Sequence, residues 1–115
     1  MKNDETYYAL FDLAITGEKK AREFFTGLAA KCSGHADLAA FWKKLAAEES
    51  GHIGMLEELK SSLTARELNL PADHAMLWKA REVLQFSVEE SLHKIKTLDD
   101  AYERAHELES SEINT

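Results

Sequence analysis

The sequence predicts an all-α protein, a helical bundle built on one long antiparallel hairpin. Three observations lead there. One proline and five glycines among 115 residues leave room for long helices, and 44% hydrophobic with 30% charged residues fits amphipathic helices rather than disorder. Apolar residues recur at helical spacing through two long stretches, about 5–31 and 35–63. Between them, Cys32-Ser33-Gly34 is a turn short enough to make the two helices antiparallel neighbours.

In the first helix, Asn3 or Asp4 is the expected N-cap, with Glu5 in the first turn at the positive helix end. Tyr7, Leu10, Ala14, Ala21, Phe25 and Leu28 then mark the buried face. Gly17 and Gly27 interrupt it, each costing up to about 1 kcal/mol relative to alanine. The second helix carries the stripe Leu38, Leu45, Leu56, Leu59 and Leu63, with Phe41 and Trp42 adding bulk near its start. Asn69-Leu70-Pro71-Ala72-Asp73 breaks the pattern, with the proline suited to a helix start. Shorter helices follow at about 73–95 and 98–113. The first of these is divided by a Ser87-x-x-Glu90 capping box, and the second opens at Thr97-x-x-Asp100. Trp42, Trp78, Phe24 and Phe25 are expected in the core. One domain, residues 1–115, accounts for the whole length, and the last helix has no stop signal, as in a chain cut short at its C-terminus or naturally brief.

Three residues break the apolar rule. Glu49 and His52 form a Glu-x-x-His motif, which sets a carboxylate and an imidazole about 60° apart on one helix. Both lie within about 40° of Leu45, where a core residue belongs. Glu18 sits inside the Leu10-Ala14-Glu18-Ala21-Phe25 series of the first helix. Glu18 and Glu49 are each about fifteen residues from the turn, so an antiparallel pairing brings them to one height. A charge buried alone costs several kcal/mol, so this level of the hairpin needs partners or a metal. One buried glutamate and one Glu-x-x-His make half of a carboxylate-bridged two-metal site, which takes four glutamates and two histidines from four helices. Mixed carboxylate and imidazole ligands suit iron or manganese, with zinc as a further option. Ala105-x3-Glu109 weakly repeats Ala14-x3-Glu18 in the last helix.

These residues carry a family resemblance. Ala14-x3-Glu18-x2-Ala21-x2-Phe24-Phe25-x2-Leu28-Ala29, followed by Leu45-Ala46-Ala47-Glu48-Glu49-x2-His52-x3-Leu56, resembles the first two helices of rubrerythrin-like members of the ferritin-like superfamily. Residues 98–112 resemble the start of that family's third bundle helix. The resemblance implies a non-haem centre of two iron ions, with Glu18, Glu49, His52 and Glu109 as ligands and Glu112 as the additional glutamate some members carry. It implies chemistry on ferrous iron with peroxide or oxygen, as a ferroxidase- or peroxidase-type oxidoreductase. A fourth bundle helix and the four cysteines of a rubredoxin-type site are absent from the sequence, in which Cys32 is the lone cysteine. The site is therefore expected to be completed by a second copy, in a homodimer or higher oligomer, or by further C-terminal sequence.

A second Glu-x-x-His, Glu103-Arg104-Ala105-His106, falls out of phase. Glu103 lies about 160° and His106 about 100° from Ala105, on the predicted solvent side. The net charge of −7 argues against nucleic acid, and neither a membrane span nor a signal peptide is expected, so the cytoplasm is the default compartment. Two other readings compete: a metal-free helical dimerisation module that keeps only the fold, and a sensor or scaffold that binds metal without turnover.

Overall fold

The structure is a computed structural model describing residues 5–111, apart from the side chains of residues 98 and 109–111. Helix α1 spans Tyr7–Lys31 and α2 spans Ala36–Ser62. Four shorter helices follow: α3 (Ala65–Leu68), α4 (His74–Val83), α5 (Val88–Lys94) and α6 (Leu98–Ser111). Among the described residues the fold is all-α, as the sequence predicts. The long hairpin sets the shape, giving extents of 50 × 23 × 18 Å. No helix is long and apolar enough to cross a membrane among the described residues.

Local chemistry fixes each boundary. Thr6 caps α1 by accepting from the Ala9 N–H at 3.3 Å. This corrects the expected cap at Asn3 or Asp4, which lie outside the described residues, and puts Glu5 before the helix. The cap sits at residue 6 because the segment ahead of it pairs with another strand of chain. The Tyr7 N–H donates to the Leu70 carbonyl at 3.0 Å and the Ala72 N–H to the Glu5 carbonyl at 2.9 Å. Pro71 lies in that bridge opposite Thr6 rather than opening a helix, and Asp73 caps α4 instead, accepting from the Met76 N–H. At the hairpin turn, the Cys32 N–H donates back to Leu28 and Ala29, and the His35 N–H to the Cys32 carbonyl at 2.8 Å.

Ser87 caps α5 as its motif predicts. At the start of α6, Thr97 and Asp100 cap reciprocally, and Asp100 also accepts from the Lys96 N–H. Those backbone donors, Lys96 first, hold the Asp100 carboxyl below its usual range. The cap is therefore intact above that range and is lost as pH falls through the lowered value. Helix α3 is absent from the sequence reading, although its signal is plain in hindsight. Thr64-x-x-Glu67 is a full capping box, with the Thr64 N–H donating to Glu67 at 2.9 Å and the Glu67 N–H to Thr64 at 3.1 Å.

Three apolar clusters run along α1. Leu10 packs with Ala72, Leu77 and Ala80, and Ile15 packs with Ile53 and Leu56. The largest gathers Phe24, Phe25 and Leu28 against Trp42, Val83, Ala101, Ala105 and Leu108. Trp78 is 65% exposed, contrary to expectation. The inward face of α4 is Leu77, Ala80 and Val83, and Trp78 lies about 100–160° from each of them around the helix. Leu59 is likewise 48% exposed: α2 packs along α1, and at the far end of α2 from the hairpin turn Leu59 lies on the edge turned away from that contact.

The two glycines that looked like flaws permit close helix approach. A Cβ on Gly17 would lie 3.1 Å from Val83 Cγ1 of α4, and one on Gly27 would collide with Leu92 of α5. Lys20 ties the same helices together, its Nζ donating to the Phe86 carbonyl at 2.7 Å and the Leu84 carbonyl at 3.3 Å beyond the end of α4. A cation suits that negative helix end. Replacing Gly17 with Val is expected to destabilise the protein by about 1–3 kcal/mol through overpacking against Val83. A denaturant titration showing unchanged stability would refute the close-approach account.

Candidate metal centre

Glu18 of α1 and Glu49 and His52 of α2 meet near the middle of the hairpin. Each offers one ligand atom, and the three atoms lie within 4.8 Å of one another. The carboxylates are buried, with Glu18 5% and Glu49 2% exposed. The His52 side chain is 46% exposed and lies at the mouth of the cluster. Its Nδ1 is 3.0 Å from Glu49 Oε1, with the imidazole donating, and 3.7 Å from Glu18 Oε2.

Packing explains how these atoms come to one point. The tight turn at 32–34 sets the antiparallel register, so residues equally far from it along the two chains meet. The Ile15–Ile53–Leu56 cluster lies on one side of the carboxylate layer and the Phe25–Trp42 stack, with centroids 6.1 Å apart, on the other. Both layers are apolar, so they locate Glu18 and Glu49 without supplying hydrogen bonds of their own.

The electrostatics call for a cation. Two carboxylates within 4.8 Å of each other would, if both were ionised, repel by about 3 kcal/mol at an effective dielectric near 20. The His52 N–H donated to Glu49 offsets part of this, and a metal ion with the same three ligand atoms would offset more. Two carboxylate oxygens and one imidazole nitrogen form a donor set suited to iron or manganese, and zinc also accepts it. The geometry and chemistry therefore fit a metal. His52 Nδ1 faces the carboxylates, so the same nitrogen is placed to serve a metal held among them.

The remaining predicted residues fall elsewhere. Glu109 belongs to α6, but its side chain lies outside the described residues, and Glu112 lies outside them altogether. Glu103 and His106 are exposed while Ala101 and Ala105 are buried, which keeps the second Glu-x-x-His on the solvent face. The sequence reading missed a neighbour of the centre. Arg22, one turn from Glu18, donates to Ser50 Oγ at 3.2 Å and so ties α1 to α2 beside the carboxylates. Its i+4 relation to Glu18 was the available signal, but a long cationic side chain at a stripe edge resembles any solvated residue.

A long helix hairpin with two buried carboxylates and a Glu-x-x-His imidazole at one level is the half-site architecture of a carboxylate-bridged metal protein. The family model for rubrerythrin matches residues 10–114, nearly the whole chain. The protein belongs to the rubrerythrin family, within the ferritin-like superfamily. No curated protein sequence and no solved structure matches it significantly.

Two carboxylates held this close in a buried layer would cost stability with no metal bound. Replacing Glu18 with Met, which has similar length and no charge, is expected to raise the stability of metal-stripped protein by about 1–2 kcal/mol while weakening metal binding. A thermal melt of the stripped variant is the check, and a lower melting temperature would contradict this account of the site.

Proposed function

We propose that the protein is a non-haem di-iron protein that oxidises ferrous iron with peroxide or oxygen, and that two copies assemble to complete its centre. The observation carrying this reading is the convergence of Glu18, Glu49 and His52 at one buried level. Two iron ions there would supply the two electrons that cleave the O–O bond of peroxide to give water. The chain's own residues have definite tasks. Glu18 and Glu49 would neutralise metal charge from a water-poor layer, and His52 would lend an imidazole nitrogen from the mouth. The Ile15–Ile53–Leu56 and Phe25–Trp42 layers limit the solvent reaching the carboxylates.

The exposed edge of α2 supports the assembly part of this reading. Phe41, His52, Met55 and Leu59 lie within about 60° of one another around that helix, and all are exposed in one chain. An apolar stripe centred on a ligand histidine fits a second copy of the same surface. Two hairpins about a two-fold axis bring two Glu18, two Glu49 and two His52, which is the ligand count of a complete two-metal site. The same stripe would also serve a metal-free dimerisation module, so metal binding and assembly need separate tests.

Anaerobic titration with ferrous iron is expected to show tight binding of two ions per pair of chains, lost in Glu49→Ala and His52→Ala. Wild-type protein that binds no iron tightly would end the metal reading. Affinity should fall as pH decreases, because protons compete for the ligands. For assembly, Leu59→Glu places a charge in the apolar stripe and is expected to convert a dimer to monomers in sedimentation velocity. A wild-type protein that sediments as a monomer with and without iron would exclude the paired site.

A further inference from the structure

We propose that Trp42 and Tyr102 form a one-electron relay linking the Glu18–Glu49–His52 centre to solvent, with Tyr102 as the terminal donor. This rests on the di-iron reading above and adds a task for residues outside the ligand set. Trp42 lies seven residues from Glu49 and Phe25 seven from Glu18, both toward the hairpin turn. Each helix thus puts the Phe25–Trp42 layer about 10.5 Å along its axis from the carboxylates. From Trp42 the aromatic path continues outward. The ring of Tyr102, on α6, is 5.5 Å from that of Trp42, centroid to centroid, and Tyr102 is half exposed.

The indole is the telling choice in this layer. Trp42 is fully buried, yet its Nε1–H has no hydrogen-bond partner among the described residues. A buried unsatisfied donor costs about 1–3 kcal/mol, and such a group in a native core calls for an explanation. Phe24, Phe25, Phe41 and Phe86 surround this region and fill space without that cost. What an indole offers over a phenyl ring is easier one-electron oxidation. The absence of a proton acceptor also has a consequence. An oxidised Trp42 retains its proton and remains a strong oxidant, able to take an electron from Tyr102. The half-exposed phenol can pass its proton to water.

The relay matters when the centre holds one ferrous ion rather than two. Reduction of one peroxide to two waters takes two electrons and two protons. A single ferrous ion held by Glu18, Glu49 and His52 would supply one of these electrons. Trp42 gives the other and is restored by Tyr102, which becomes a neutral phenoxyl radical as its proton leaves to water. Of the two protons consumed, solvent therefore supplies one net. The oxidising equivalent ends at the surface instead of at the ligands.

Two measurements test this in the full chain, with Trp78→Phe as background so that Trp42 is the sole tryptophan. In metal-free protein, flash photoionisation of the indole should be followed by decay of the indole radical and matching growth of phenoxyl absorption, and Tyr102→Phe should abolish that growth. In protein loaded with one ferrous ion per centre and given peroxide, electron paramagnetic resonance should show a tyrosine radical. That signal should be lost in Tyr102→Phe and also in Trp42→Phe, where the tyrosine remains. Circular dichroism and melting temperature establish that each variant folds, and a Trp42→Phe chain that unfolds leaves the Tyr102→Phe comparison to decide. Iron binding and peroxide consumption without a Tyr102-dependent radical overturn the relay alone. Failure to bind iron overturns the di-iron reading and the relay with it.

Discussion

Two carboxylates that face each other inside a helix hairpin constrain this molecule more than any other feature. Their mutual repulsion and burial must be offset on each folding event, and the offset depends on register. A slip of one residue along either helix turns a side chain by about 100° and would carry Glu18 or Glu49 out of the shared layer. The hairpin answers with a three-residue turn held by the Cys32 and His35 amide donors, and with apolar layers on both sides of the charges. Arg22 reaching Ser50 adds a tie between the helices at the same height. Rigidity near the turn and precision at the carboxylates are one requirement.

The bundle around that hairpin is lopsided, and the asymmetry has a physical origin. Helix α1 has glycines where α4 and α5 cross it, so those helices approach closely and Lys20 can reach the carbonyls beyond α4. Helix α2 offers Phe41, Met55 and Leu59 outward, side chains with more apolar surface than a solvated helix needs. One long helix is thus enclosed by its own chain, and the other is left with an apolar edge on which His52 opens. The candidate ligands sit at the boundary between the enclosed and open sides. That is where a partner surface can contribute to a centre without rebuilding the core.

Much of this was legible from residue spacing. The hairpin, its turn and the shared height of Glu18 and Glu49 follow from a 3.6-residue period and a count back from residues 32–34. The phase of Ala105 likewise separates the exposed Glu103 and His106 from the buried face. Periodicity identifies a face but cannot say whether a neighbour covers it. Leu59 and Trp78 therefore read as core and prove exposed. The Thr6 cap was hidden because it depends on pairing with Pro71, sixty-five residues away in sequence. The glycines of α1 read as costs because helix propensity is local, whereas their value lies in contacts with Val83 and Leu92.

The energetics of the buried layer bear on the choice between a metal centre and a retained scaffold. A helical interaction module needs an apolar interface and a stable core. Glu18 and Glu49 serve neither, since leucine or methionine at both positions would extend the Ile15–Ile53–Leu56 cluster toward the Phe25–Trp42 stack without charge repulsion. His52 alone, half exposed, would be ordinary at an interface. A bound metal would offset the cost of that combination by mass action. A chain that holds two carboxylates at 2–5% exposure, with an imidazole nitrogen in reach of both, offers a donor set that would suit a metal and that a plain scaffold would not need.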